Sequence, residues 1–153
     1  MRVGLAAILV MAVAVLGLAA YVRLAPFNPA IWHTALPTDT RQIDGDNCAD
    51  AVDTQTKGAM AACMVNGSAT QVLAKLNATA LATPRTRLVA GSPDEGRMTW
   101  ETRSAFWGFP DYTTAQAQTR GDQARIEIIA RLRFGGSDFG VNAARLRAWL
   151  SAL

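Results

Sequence analysis

The 153-residue chain has one histidine, two cysteines and, after residue 75, no lysine. Each shortage removes a class of chemistry. The one histidine, His33, lies in a proline-rich stretch with no identifiable serine or cysteine nucleophile, which disfavours a Ser–His or Cys–His hydrolase. Two cysteines, Cys48 and Cys63, without a second CxxC or a histidine cluster do not make a zinc site. There is no GxxxxGK[ST] phosphate loop and no GxGxxG dinucleotide fingerprint. Among Glu101, Asp111, Glu127 and Asp138, no acid–base pair or metal set stands out by spacing, so the sequence leans away from an enzyme and calls for no cofactor.

Charge is also absent over one long run. Val3 to Val22 holds twenty uncharged residues between Arg2 and Arg23. About twenty apolar residues at 1.5 Å each match a hydrocarbon core of roughly 30 Å. Residues 1–23 therefore read as a transmembrane anchor or signal segment. The apolar region exceeds the ~7–15 residues of a cleaved signal peptide, although Gly17 and Ala19 keep cleavage open. Arginines on both flanks set orientation only weakly. The bulk of the chain follows the anchor, which points to export: a single pass in a bacterial inner membrane with the C-terminal domain in the periplasm. Membrane lipid is then the partner of residues 3–22, and a membrane protein is the expected partner of the folded part.

Beyond residue 23 the chain carries 13 basic and 12 acidic groups. That near-balance excludes a nucleic-acid binder. The groups are unevenly placed: residues 24–83 hold three basic and five acidic, residues 84–153 ten arginines and seven acids. Arginine's planar fork suits carboxylate or phosphate. Either arginine–carboxylate pairs order a sheet face, or the arginines hold an anion. In an exported domain Cys48 and Cys63 are candidates for one disulfide.

Pro26, Pro29 and Pro37 forbid a continuous helix after the anchor, so residues 24–47 read as a proline-rich tether with Trp32 and His33 near the membrane surface. Residues 48–67 are rich in small residues and poorly periodic, and read as short helix or loop. Ser68 is then an N-cap, and Ala69, Val72, Leu73, Leu76 and Ala80 form one helical stripe, ended by Pro84. From Arg85 the period becomes two. Strands are expected at Arg87–Ala90, Arg97–Arg103, Asp111–Thr119 and Arg125–Phe134, with GSPDEG (91–96) and Arg120-Gly121-Asp122 as turns. Val141–Leu153 closes the chain as a helix with Leu146, Trp149, Leu150 and Leu153 on one stripe. The expected fold is α+β: a transmembrane helix, then a helix, a four-stranded antiparallel meander and a C-terminal helix, with residues 48–153 as the domain.

Between the last strand and the last helix, RLRFGGSDFGVNAAR (131–145) carries a β-to-α junction. Gly135 and Gly136 permit positive φ, and Ser137 or Asp138 caps the helix. Arg131, Arg133 and Arg145 are not explained by the junction. A helix N-terminus beside arginines is a ready anion site, yet Asp138 competes for the same amides, which favours an internal Arg–Asp lock. Upstream, Phe106-Trp107-Gly108-Phe109 places three rings in four residues. Exposed, Phe106, Trp107 and Phe109 form a partner-binding hot spot; folded back, they plug the core.

The pattern R-x-R-x-G-x-S-D-x-G-x-N-x-x-R, carried by Arg131, Arg133, Gly135, Ser137, Asp138, Gly140, Asn142 and Arg145, resembles the signature of family 1499 of the domains of unknown function. Thr83-Pro84-Arg85-Thr86, the run Arg103–Asp111 and the pair Asn47-Cys48 resemble it too, so the likeness spans about residues 45–153. Two places depart from the family pattern. Ala130 and Leu132 stand where hydroxyl residues are expected beside the paired arginines, and Pro110 precedes a single Asp111 where an acidic pair is common. The resemblance implies a shared fold and a membrane or lumenal placement, and no known reaction. The leading expectation is an exported, membrane-tethered, non-catalytic accessory or interaction domain, whose narrower form is a subunit of an envelope or energy-transducing complex. The alternative is a binder of a small anion or lipid headgroup through Arg103, Arg131, Arg133 and Arg145, with Ser137, Asp138 and Asn142 as either site or lock. An uncharacterised enzyme comes third.

Overall fold

The uncharged run forms helix α1 (Arg2–Leu24) in the computed structural model, which describes residues 2–36 and 47–153. Ala6–Leu24 is long and apolar enough to cross a membrane by length and composition. Asn28 then caps a single turn, α2 (Pro29–Trp32), its side chain accepting from the Ala30 amide at 3.0 Å. Pro29 at the first helical position gives up no needed donor. The rest of the tether, residues 37–46 with Pro37, lies outside the described residues.

The expected helix or loop at 48–67 is instead a hairpin, β1 (Asp53–Gln55) and β2 (Gly58–Asn66). On β2, Ala59, Ala61, Cys63 and Val65 enter the core, while Met60, Ala62 and Met64 occupy the other face. Both faces are apolar, so the sequence shows no period-two contrast there. Helix α3 (Ala69–Ala82) follows with a full capping box: the Gln71 amide donates to the Ser68 hydroxyl and the Ser68 amide to the Gln71 side chain. It stops at Thr83, before Pro84. Strands β3 (Thr86–Ser92), β4 (Arg97–Arg103), β5 (Pro110–Arg120) and β6 (Gln123–Leu132) and helix α4 (Val141–Leu150) complete the chain.

The sheet therefore has six strands rather than four, in the order β1-β2-β6-β5-β4-β3, every pair antiparallel. The meander is β3 to β6; β2 joins it by pairing Ala61 opposite Ile128, across α3 and three intervening strands. Such a non-local pairing leaves no local signal. Helices α3 and α4 cover one face, where Trp100 and Trp149 meet edge-on at 5.7 Å. Their indole nitrogens donate to Asn77 Oδ1 (2.9 Å) and Thr83 Oγ1 (2.8 Å), so neither buried ring leaves a polar atom unpaired. Cys48 and Cys63 are disulfide-bonded across 15 residues. Closing a loop of that length restricts the unfolded chain by about 3 kcal/mol.

The second face carries the alternate residues of the same strands: Thr99 and Glu101, Tyr112 and Thr114, Glu127 and Arg131. Residues 25–36 lie across it. The stretch read as a tether is, as far as Leu36, a strap bound to the sheet.

Candidate functional site

Strap and sheet meet through groups that the strand alternation brings to one side. Trp32 packs on Tyr112 with ring centroids 4.6 Å apart, and Phe27 approaches the same ring at 5.4 Å. His33 Nδ1 and Thr99 Oγ1 are hydrogen-bonded at 2.8 Å. The Leu36 amide donates to Gln116 Oε1 (2.9 Å), and Gln116 Nε2 donates back to the Leu36 carbonyl (3.1 Å). Arg131 donates to the Trp32 carbonyl at 2.6 Å and to Thr114 Oγ1 at 3.0 Å, with its guanidinium over the Trp32 ring. Arg133 donates to the Pro26 carbonyl (2.9 Å) and to the Tyr112 hydroxyl (2.9 Å). Burial pulls the Arg131 pKa down and pushes Tyr112 up. The paired arginines of the motif thus hold main-chain carbonyls.

The remainder of the motif lies on the opposite, helix-covered face. Asp138 accepts from the Gly140 amide (3.1 Å) and the Asn142 amide (3.0 Å), capping α4. Ser137 Oγ accepts from the Phe139 amide. Asn142, fully buried, donates to Asp111 Oδ2 (3.1 Å) and accepts from Arg145 at 2.7 Å. Arg145 and Asp111 stand 3.6 Å apart. Burial raises the Asp111 pKa against the pull of Arg145 and Asn142, and burial lowers Arg145 against the pull of Asp111. Desolvation outweighs pairing for both ions, as expected for buried charges in contact at a long distance. Asp111, Asn142 and Arg145 form a bridge from β5 to α4, with Asp138 beside it.

Arg103 belongs to neither group. It donates to Glu101 Oε1 at 2.8 Å and to the Gly108 carbonyl at 3.0 Å, while Arg87 Nε donates to Glu101 Oε2 at 2.6 Å. Glu101 is 1% exposed, and both its oxygens are occupied. Glu127 accepts from Gln116 at 2.6 Å and from Arg125 at 3.2 Å. The carboxylates of Glu101, Asp111, Glu127 and Asp138 are each held in fixed contacts, and no group of three or more His, Cys, Asp or Glu suited to a metal occurs among the described residues.

The residues proposed from sequence as one arginine cluster are therefore in three places. Arg131 and Arg133 bind the strap, Asn142 and Arg145 lock α4, and Arg103 lines a cleft of about 450 Å³ with Arg23, Arg85, Arg87, Glu101 and Gly108. The cleft holds four guanidinium groups against one carboxylate. Sequence reasoning missed Arg23, Arg85 and Arg87 there. Arg87 was findable, since it shares a face with Glu101 on the neighbouring strand; Arg23, at the end of α1, was not.

All three sites lie toward one end of the sheet. Register sets Gly58, Arg131, Tyr112, Glu101 and Arg87 in a row, so the loops 56–57, 104–109 and 133–140 emerge together beyond it. The C-terminal end of α1 joins them there. Tyr21 meets Phe134 at 6.0 Å, Val22 is buried, and Arg23 donates to the Phe106 carbonyl at 3.4 Å. Gly108, at φ 72°, lets Arg23 lie against the loop; a Cβ there would stand 3.2 Å from Arg23 Nε. Of the aromatic loop, Phe106 is 79% and Trp107 49% exposed, while Phe109 is half-buried against Phe134. The loop is neither a core plug nor wholly free. Phe139, 94% exposed, projects from the neighbouring loop.

The sequence profile of the family described as "Protein of unknown function (DUF1499)" matches residues 39–153. No curated protein matches the chain at a significant level.

Proposed function

Because the chain belongs to the DUF1499 family of proteins of unknown function, its role has to be argued from its own geometry, and we propose a single-pass, membrane-anchored, non-catalytic interaction domain that works at the bilayer surface. One observation carries this reading. The end of α1 is fixed to the same end of the sheet that displays Phe106, Trp107 and Phe139. If α1 spans a bilayer, those rings lie at the headgroup level, where Trp is enriched and where a ring with an apolar body and a polar edge is best solvated. The strap extends the same logic. Arg131 and Arg133 clamp residues 25–32 to the sheet, so the domain is oriented on its anchor and does not swing on a free linker.

The disulfide supports an exported placement, such bonds being rare in reducing compartments, and export from a bacterial cell puts the domain in the periplasm. A non-catalytic role is supported by the commitment of Glu101, Asp111, Glu127 and Asp138 to structural contacts and of His33 to Thr99. An accessory subunit that presents a fixed surface to lipid, or to a membrane protein within it, fits this economy of reactive groups.

Brominated-lipid quenching of tryptophan fluorescence tests it. In bilayers of brominated phosphatidylcholine, the full chain should lose a component of emission that Trp107→Phe lacks. Equal quenching in wild type and Trp107→Phe would place Trp107 away from lipid and defeat the proposal.

A further inference from the structure

The cleft between the end of α1 and the β3–β4 edge has a charge that the fold does not use. Its lining brings together Arg23, Arg85, Arg87 and Arg103, yet only Glu101 stands against them. Glu101 is saturated by Arg87 and Arg103. Arg85 spends only Nε, on the Arg103 carbonyl (3.1 Å), and Arg23 makes one long contact to the Phe106 carbonyl. The terminal nitrogens of Arg85 and Arg87 have no partner among the described residues, and both side chains are exposed at the rim. Arg85 is also held at φ 60°, a left-handed backbone that costs a non-glycine residue free energy. Its amide neighbours show why it is kept: the Arg103 amide donates to its carbonyl while its own Nε returns to the Arg103 carbonyl. The side chain is fixed beside the cleft.

Four guanidinium groups facing one cavity repel each other, and within a screening length of ~8 Å they act as one field. The volume, about 450 Å³, falls in the ~300–1,000 Å³ range of small-ligand sites. Guanidinium forks with free terminal N–H groups match the tetrahedral oxygens of phosphate in bidentate fashion. We infer that this cleft binds a phosphate ester, and that its natural source is the headgroup of an anionic glycerophospholipid. The choice of source rests on the membrane-surface reading above: Arg23 is in the last turn of α1, so the cleft then opens at headgroup depth, beside Phe106 and Trp107. The charge layout agrees with it. The turns at the far end of the sheet carry Asp94, Glu95 and Asp122, flanked by Arg97 and Arg120, whereas this end carries Arg23, Lys57, Arg85, Arg87, Arg103 and Arg133. Against them stand Glu101, Asp111 and Asp138, which are buried and already partnered.

The test is native mass spectrometry of the full chain, released from nanodiscs of phosphatidylcholine containing a minor fraction of phosphatidylglycerol. Wild type should retain one phosphatidylglycerol in preference to phosphatidylcholine. Arg85→Gln/Arg87→Gln should lower that retention at least tenfold, and Arg120→Gln, the loss of a distant arginine, should not. Arg23→Gln, which lies outside the sheet and cannot act by misfolding it, should also lower it. In a second arm, glycerol phosphate is titrated into the detergent-solubilised chain and followed by ³¹P line broadening. Broadening that the double variant abolishes confirms the phosphate site without any bilayer, and binding in this arm with no lipid preference in the first assigns a soluble source. Retention unaffected by Arg85→Gln/Arg87→Gln and by Arg23→Gln, with no broadening, overturns the site. Failure of the site while Trp107 is still quenched by brominated lipid leaves the membrane-surface reading standing, and the two are thereby separable.

Discussion

Replacing Arg131 by glutamine should open the strap without unfolding the sheet. The substitution removes charge-assisted bonds to the Trp32 carbonyl (2.6 Å) and Thr114 Oγ1 (3.0 Å) and the guanidinium stacked over Trp32 at 5.2 Å. Hydrogen bonds to a charged group contribute roughly 1.5–3 kcal/mol each and a cation–π contact about 0.5–2 kcal/mol. Two effects reduce the sum. Thr114 Oγ1 still donates to the Trp32 carbonyl at 2.7 Å, and Arg131 Nε is buried without a partner among the described residues, so its removal relieves a cost. A net loss of about 2–4 kcal/mol follows. At 1.4 kcal/mol per decade this raises the open fraction of the strap roughly 30- to 700-fold. Amide hydrogen exchange on the full chain in detergent reads that change directly. The Trp32, His33 and Leu36 amides, which donate to Asn28 O, Pro29 O and Gln116 Oε1, should exchange faster by that factor, while amides of β5 and β6 hold their rates. If strap and sheet amides accelerate together, strap and sheet are one cooperative unit, and the separable clamp is refuted.

Asn142→Ala should act globally instead. It removes a hydrogen bond to the buried Asp111 carboxylate and one from the half-buried Arg145, leaving the two ions only their own 3.6 Å contact. It should cost about 3–5 kcal/mol, a fall in Tm of roughly 10–20 °C for a domain of this size; a loss under 3 °C would show that the junction is not a lock. The strap should also respond to pH. Burial chiefly, and Arg97 next, lower the His33 pKa below 6.5 against the raising influence of Glu95. The unfolded strap therefore binds the proton more readily, and the stabilisation present above pH 6.5 is lost as pH falls through the folded value. Exchange at Leu36 should accelerate between pH 7 and 5, beyond the intrinsic rate change, and His33→Gln should remove that excess.

The β-to-α junction was legible because its signals are local. Glycines, a capping aspartate and a following apolar stripe lie within fifteen residues, and the structure puts Asp138 on the Gly140 and Asn142 amides. The Ser68 cap of α3 and the strands β3 to β6 were legible for the same reason, with strand ends shifted by at most two residues. The β1–β2 hairpin was not, because an alanine-rich strand that is apolar on both faces carries no alternation, and its partner β6 pairs with it across 57 to 73 residues of chain. The division of the arginines was equally hidden. Arg131 and Arg133 share a strand face, but whether that face meets water, an anion or the chain's own carbonyls depends on what lies over it. Residues 25–36 cover it, and three prolines in the sequence read as a loose linker.

By itself, then, the sequence determined what period and composition encode: one apolar helix long enough for a membrane, an α+β domain behind it, two cysteines at a loop-closing distance, and an arginine-only set of cations in the second half. Tertiary structure alone decided which cations are spent. Strand register turned Arg87 and Arg103 onto Glu101, and strap docking consumed Arg131 and Arg133. Packing of α1 against Gly108 carried Arg23 to Arg85. Pairing is a property of distance in space. Arg87 and Arg103 reach Glu101 from 14 and 2 residues away, whereas the strap and α1 contacts of Arg131, Arg133 and Arg23 join residues 99, 107 and 83 apart, separations that leave no mark on local sequence.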